Sequence, residues 1–315
     1  MTDLLLVSIR FALFANLMLI AGLAAFPLYA LTPGERRDRE PGLLLYRPQP
    51  WLCLFALLLS FGGMAALTAA MQGVGVLAID PAMLLAMVRE TDVGAAWLVR
   101  SAALLVAVAA ALWLDRRPTL AAAILFAAGS TALTTLTWAG HAGATEGALG
   151  WLHRANDALH MIAAAIWLGA IAAFLLLLRP GAPWSEARLA VAARSLDQFA
   201  RIGTLCVLVI AATGLVNSQI VIGAANIARS AASPYGQLLA AKLLLFAAML
   251  VIAAANRWRL TPALQQAAAT PDTVRANPAH AMRAMQTSLM LEAAAGLTIL
   301  VLVAWFGMLD PFAAG

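Results

Sequence analysis

An all-α, polytopic membrane bundle of about eight transmembrane helices is predicted by three observations. Of 315 residues, 63% are hydrophobic and only 11% charged, with a mean hydropathy of +0.88, which excludes an ordinary soluble domain. Apolar runs of about 20 residues, the length that crosses a hydrocarbon core of roughly 30 Å, recur along the whole chain. Basic residues concentrate in alternate connections, as the positive-inside rule requires.

The spans are expected at about Leu4 to Leu31, Trp51 to Gln72, Gly94 to Leu114, Pro118 to Gly140, Trp151 to Leu178, Gln198 to Ile222, Gly236 to Asn256 and Ser288 to Leu309. The first run has Asp3 and no Lys or Arg before it and is too long for a signal-peptide core, so it reads as a retained span. The odd connections carry thirteen arginines: Arg36, Arg37, Arg39 and Arg47; Arg116 and Arg117; Arg179, Arg188 and Arg194; Arg257, Arg259, Arg275 and Arg283. The even ones carry Arg89 and Arg229, with Arg154 at the edge of the fifth span. The odd connections are therefore expected in the cytoplasm and both termini outside. The net charge of +5 reflects this topology and not nucleic-acid binding.

No connection is fit to fold alone. The longest, Arg257 to Thr287, holds Pro262, Pro271 and Pro278 and few large apolar residues. The chain is thus expected to be a single transmembrane domain, 1–315, with four spans in 1–140 and four in 141–315. Pro81 to Met87 reads as a short amphipathic stretch on the outer surface, with Met83 and Met87 one turn apart. Thioethers at that spacing suit Cu(I), and Met is equally an ordinary membrane contact. Cys53 and Cys206 are expected as reduced, buried small hydrophobes.

Chemistry concentrates at the start of the fifth span. His153, Asp157 and His160 fall at i, i+4 and i+7, so a helix turning 100° per residue holds them in one sector. Lipid would not tolerate that sector, and an intramembrane ionisable group is a functional hypothesis by default. His141 follows the fourth span after a short connection and emerges at the same surface. Imidazole and carboxylate without thiolate favour Cu(II) or Zn(II) over thiolate-bound Cu(I). His153 and His160 lie roughly 10 Å apart along the axis, awkward for one ion with bonds of about 2 Å. Either one site draws on two of the three plus His141, or two adjacent sites hand an ion inward. A hydrogen-bonded network without metal fits the spacing equally well.

Arg10, Arg100 and Lys242 are expected in one layer with Asp157, about 9 Å below the outer surface. They either snorkel to headgroups or turn inward, where Asp157 becomes a counter-ion to one of them. Inward cations would favour an anionic group and open an alternative, a b-type haem electron carrier with His141 and His160 as axial ligands. A non-catalytic assembly or scaffold protein is the third class. In the other half of the membrane, Arg201, Asn256, Arg257 and Glu292 are expected to satisfy one another as a structural clamp. Trp167 is expected to pack against neighbouring helices.

Ala139-Gly-His-Ala142, His153, Asp157-Ala-Leu-His160 and Ile166-Trp-Leu-Gly169 together resemble the copper-resistance protein D family (CopD/PcoD type) of bacterial inner-membrane proteins. Thr213-Gly214, Pro234-Tyr-Gly236, Lys242, Asn256-Arg257, Glu292, Gly307 and Pro311 are similar to its C-terminal half. The resemblance runs from about Thr137 to the end, with Arg10 and Gly22 a looser echo. It implies copper handling at the inner membrane beside a periplasmic copper-binding partner of CopC type. Some members carry a histidine in the first span, whereas Phe11 to Asn16 has none.

The resulting expectation is a membrane protein that binds copper at its periplasmic face and moves it across or hands it to a partner. His141, His153, Asp157 and His160 are the candidate metal residues, with Met161, Met64 and Met71 as secondary soft contacts. No P-loop and no catalytic Ser or Cys constellation is present, so neither an ATP-driven pump nor an enzyme is expected.

Overall fold

The computed structural model describes residues 2–179, 186–269, 278–309 and 311–312. It is helical throughout, and no strand occurs among the described residues. Eight helices are long and apolar enough to span a membrane: Leu4–Ala30, Leu44–Gln72, Asp92–Ala111, Pro118–Trp138, Gly147–Leu177, Leu189–Val221, Pro234–Gln266 and His280–Phe306. In chain order the α-helices are α1 (Thr2–Ala30), α2 (Arg39–Tyr46), α3 (Gln49–Gln72), α4 (Pro81–Glu90), α5 (Asp92–Ala111), α6 (Pro118–Thr134) and α7 (His141–Ala144). They continue as α8 (Gly147–Leu177), α9 (Glu186–Val221), α10 (Ile227–Ala231), α11 (Pro234–Ala255), α12 (Thr261–Ala269) and α13 (Pro278–Phe306).

Local chemistry sets the boundaries. The Asp80, Thr91 and Ser233 side chains accept from the backbone N–H of Ala82, Gly94 and Gly236 and so cap α4, α5 and α11. At the far end of α1, Arg36 donates from Nε to the Pro27 carbonyl and from Nη2 to that of Leu28, both at 2.8 Å. A cation thus caps carbonyls of the last turn, that of Pro27 also accepting from the Leu31 N–H at 3.3 Å. The α11–α12 junction is a π-helical turn, Asn256–Leu260, a geometry that recurs at functional positions.

Helix α1 is the axis of the bundle. It packs against α3, α6, α8 and α13, and Leu17, Ile20, Ala21 and Phe26 are fully buried. Association in lipid relies on close approach of backbones rather than on hydrophobic expulsion. The closest approach joins Gly22 of α1 to Gly169 of α8: a Cβ on Gly22 would stand 2.6 Å from Gly169 Cα and 2.0 Å from the Ala165 carbonyl oxygen. Because α1 lies against α8, the division at residue 140 is crossed by the tightest contact in the molecule's centre. Two amides add polar ties within the first half, Asn16 to the Leu52 carbonyl and Gln49 to that of Ile20.

Leu58, Leu215, Leu244 and Val251 face outward, where lipid would replace water as the solvent. Exposed tryptophans sit at the helix ends, Trp51, Trp113 and Trp258 on one side and Trp151 and Trp305 on the other, the disposition of interfacial aromatic belts. Eight spans bring both ends of the chain to the face that carries His153. Cys53 and Cys206 are buried and free. Met87 of α4 is buried and Met83 is not, so the pair does not act as one surface. Residues 270–277, Pro271 and Arg275 among them, lie outside the described residues, and the described parts of the long connection are helical rather than irregular.

One exposed contact carries a pH dependence. Thr32 and Glu35 form a reciprocal cap, the Thr32 N–H donating to Glu35 Oε2 at 2.8 Å and the Glu35 N–H to the Thr32 hydroxyl at 3.4 Å. Arg194 of α9 pairs with the same carboxylate at 2.6 Å. Partial burial alone would raise the Glu35 pKa, but the Thr32 N–H and the Arg194 guanidinium outweigh it and hold it below the usual glutamate range. Stability from a lowered carboxylate pKa is full above the unfolded value and lost as pH falls through the folded one. Thermal midpoints of wild type and Glu35→Gln should therefore differ at neutral pH and converge in acid. The gap corresponds to about 0.5 kcal/mol or less, because the pair is solvent-screened; a gap that widens in acid would contradict the assignment.

Candidate metal-capture cavity

The face of the bundle that holds both chain ends opens into a cavity of about 470 Å3 between α1, α8, α9, α11 and α13. His153, Asp157, His160 and Met161 of α8 line it, opposite Arg10 and Lys242. The sector expected from helical spacing therefore faces a cavity and not lipid.

Each polar side chain is held from a neighbouring element. His153, 3% exposed, pairs through Nδ1 with the Thr145 hydroxyl at 2.9 Å. Asp157 Oδ1 accepts from Asn217 Nδ2 at 3.1 Å, and Asn156 Nδ2 donates to Asn217 Oδ1 at 2.7 Å. His160 Nδ1 lies 2.8 Å from the Thr213 hydroxyl. That hydroxyl has one proton, which it donates to the Val209 carbonyl at 2.5 Å, so towards His160 it acts as acceptor. With the hydroxyl so turned, a proton on His160 Nδ1 leaves the lone pair on Nε2, the form that ligates a metal. A hydroxyl thus fixes the tautomer, the orienting task that surrounding groups perform at metal-ligating histidines.

Among the described residues no three of His, Cys, Asp and Glu gather closely enough to hold one ion. Backbone atoms place His141 at the start of α7, beside the cavity mouth, and its side chain lies outside the described residues. Arrangement as a series of one- and two-ligand positions along α8 follows from the helical rise between His153 and His160. Met161 joins the lining, whereas Met64 is buried elsewhere and Met71 is 58% exposed; neither lines the cavity.

The cations separate into two groups. Arg10 and Lys242 share the cavity with Asp157 and exert their charge on it. The Arg10 guanidinium donates to the Ala139 carbonyl at 3.2 Å in a slot walled by Gly140 and Gly307, where an added Cβ would stand 2.7 and 2.9 Å from Arg10 Nη2. Gly140 has φ +112°, a conformation that only glycine adopts without strain. Arg100 departs from the expected convergence: it turns towards α3 and α6, donating to Ser60 Oγ at 2.8 Å and Thr135 Oγ1 at 3.4 Å. Hydroxyls on those helices satisfy it, so Asp157 faces two inward cations and not three.

On the opposite half of the bundle the expected clamp is only partly formed. Asn256 donates to Glu292, which is 3% exposed. Arg257 instead binds the Ala200 carbonyl and Thr204 hydroxyl, and Arg201 is exposed. Trp167 packs edge-on against Phe246 as expected, with ring centroids 6.0 Å apart, and its indole also lies beside Glu292. The sequence assigned no site role to the cavity's hydroxyl and amide supports, Thr145, Thr213, Asn156 and Asn217, although Thr213 carries part of the family resemblance. Thr213 and Asn217, four apart on α9, carried a usable signal: they share one face opposite the α8 sector.

Two family models match the chain, "Copper resistance protein D-like, N-terminal domain" over residues 1–151 and "Copper resistance protein D" over residues 193–306. The similarity therefore extends through the first half, beyond the stretch from Thr137 onwards. Copper resistance protein D of Pseudomonas syringae pv. tomato is 36% identical over 314 residues, covering 99% of this chain and 98% of that protein. Inner membrane protein YebZ of Escherichia coli (strain K12) is 28% identical over 307 residues, covering 97% and 98%. No solved structure matches. With eight membrane-spanning helices and likeness along its entire length, this chain belongs to the copper resistance protein D family of membrane proteins.

Proposed function

We propose that the protein resides in the bacterial inner membrane, takes up copper at its periplasmic face and moves it along α8 towards the other side or to a partner. The observation that carries this reading is the cavity in which His153, Asp157, His160 and Met161 lie in succession, with His160 in the ligating tautomer. Successive incomplete sites suit a cargo ion that must leave as readily as it enters, and the pairing of imidazole with a thioether at residues 160 and 161 accepts either copper oxidation state. His141 is proposed as the ligand at the mouth. A periplasmic copper-binding protein of CopC type is the proposed donor, docking where α7, the outer part of α1 and the end of α13 surround the opening.

The test is copper content and visible absorption of purified protein, with His153→Ala and His160→Ala beside wild type. Wild type should bind copper without a Soret band, and each variant should lose at least half of it. Unchanged copper content in both variants would remove α8 from the path. A Soret band that vanishes in His160→Ala would establish the haem reading instead, which the neighbouring Arg10 and Lys242 would serve by binding propionates.

A further inference from the structure

A second cavity, of about 450 Å3, lies end to end with the first along the same four helices. On every one of them the two linings occupy opposite halves. The first takes residues 153–168 of α8, 210–221 of α9, 235–249 of α11 and 296–306 of α13. The second takes 167–174, 196–207, 250–254 and 289–292, continuing along the π-helical turn. Trp167 alone lines both. It is 4% exposed and stands between them as a septum, with Phe246 against its ring and Leu168 packed over Gly296, where a Cβ would come within 2.5 Å of Leu168 Cδ2.

Below the septum, Glu292 accepts from the Asn256 amide, and the Trp167 indole N–H is the other donor beside its carboxylate on the cavity wall. Both are neutral donors, and among the described residues no cation lies within 4 Å of the carboxylate. The other charged groups of this cavity, Asp197 and Arg201 of α9 and Arg257 of the π-helical turn, are exposed at its mouth. α8 contributes none, and on α13 the lining has only Glu292. Asn256 Oδ1 is buried without a hydrogen-bond partner. An ionised Glu292 accepts from the Asn256 amide nitrogen. A protonated Glu292 can donate to that vacant amide oxygen once the amide turns over, so the pair accommodates both states.

We propose that Trp167 is a gate between two half-paths and that Glu292 is its proton-operated latch. The ionised carboxylate holds the indole through a charge-assisted bond; a proton arriving through the second cavity turns that bond into a weaker neutral one and swings its hydrogen towards Asn256. Entry of one proton thereby connects the Glu292 cavity to the histidine cavity, which couples ion passage to a proton. The assignment rests on the copper path for its purpose, but its test uses no copper.

In a Cys53→Ser, Cys206→Ser background, Ala164→Cys places a thiol on the histidine-cavity side of Trp167, and Val207→Cys places one on the Glu292 side. A membrane-impermeant maleimide is applied in sealed vesicles from the face onto which the Glu292 cavity opens. The ratio of the two labelling rates cancels the intrinsic pH dependence of the thiol. With native Trp167 and Glu292 the ratio is expected to be low at neutral pH and to rise about tenfold in acid, the scale of one charge-assisted bond. Glu292→Gln should hold it high at every pH, and Trp167→Phe, which keeps a ring but loses the N–H, should do the same. A ratio independent of pH in the parent protein, or a Glu292→Gln protein that follows the parent's pH course, overturns the latch. Either failure leaves the copper content of the purified protein, and so the capture reading, untouched.

Discussion

Gly22→Leu is expected to abolish assembly of the bundle. A first side-chain carbon at this position already stands 2.0 Å from the Ala165 carbonyl oxygen and 2.6 Å from Gly169 Cα, and backbone cannot swing aside as a flexible side chain would. Helices α1 and α8 would have to separate, opening the packing around Leu17, Ile20 and Phe26. Overpacking a core costs about 1–3 kcal/mol where side chains can shift. Against two backbones the cost should exceed about 4 kcal/mol, the range reserved for lost architecture. Gly169→Val should behave alike. Gly62→Leu is the control, because nothing lies within 4 Å of its added Cβ; it should fold at least as well as wild type. Monodisperse yield in detergent and thermal midpoint report the difference, and a normal midpoint for Gly22→Leu would refute the crossing.

The second large effect is electrostatic and opposite in sign at two neighbouring positions. Asp157 is the carboxylate of the histidine-lined cavity, with Lys242 and Arg10 opposing it. At a separation of about 6 Å and an effective dielectric constant of about 20, one unit charge contributes roughly 2.8 kcal/mol to the binding of a cation, about a hundredfold in affinity. Asp157→Asn should weaken copper binding by that order, whereas Lys242→Gln should tighten it by a comparable factor. Titration with copper in detergent, with competition by a chelator of known affinity, measures both. Equal weakening by the two substitutions would mean that the residues act as a structural pair and not through their fields. Lys242→Gln together with Asp157→Asn should return close to the wild-type affinity.

Much of this architecture can be read from hydropathy, because the number of spans depends only on apolar length. The ends cannot. Helix α9 begins at Glu186, well before the expected Gln198, since Arg194 finds Glu35 and need not end a span. Helix α13 likewise begins at Pro278, ahead of Ser288. Helices run past the hydrocarbon wherever tertiary partners take up their polar groups, and a hydropathy window ignores partners. The α8 sector was legible for the reason that period and polarity coincide there. Arg100 was not: its partners are Ser60 and Thr135, two hydroxyls on other helices that no local pattern connects to it. The stacking of two cavities on Trp167 was equally hidden, because it depends on the relative rotation of four helices.

The slot that receives Arg10 has a consequence for biogenesis. One wall is Gly140, and the other is Gly307, translated 167 residues later. Helix α1 must therefore wait, unclosed, for α13. Until α13 has entered the bilayer the cavity beside Arg10 lacks a side, so a shorter nascent chain cannot yet enclose it.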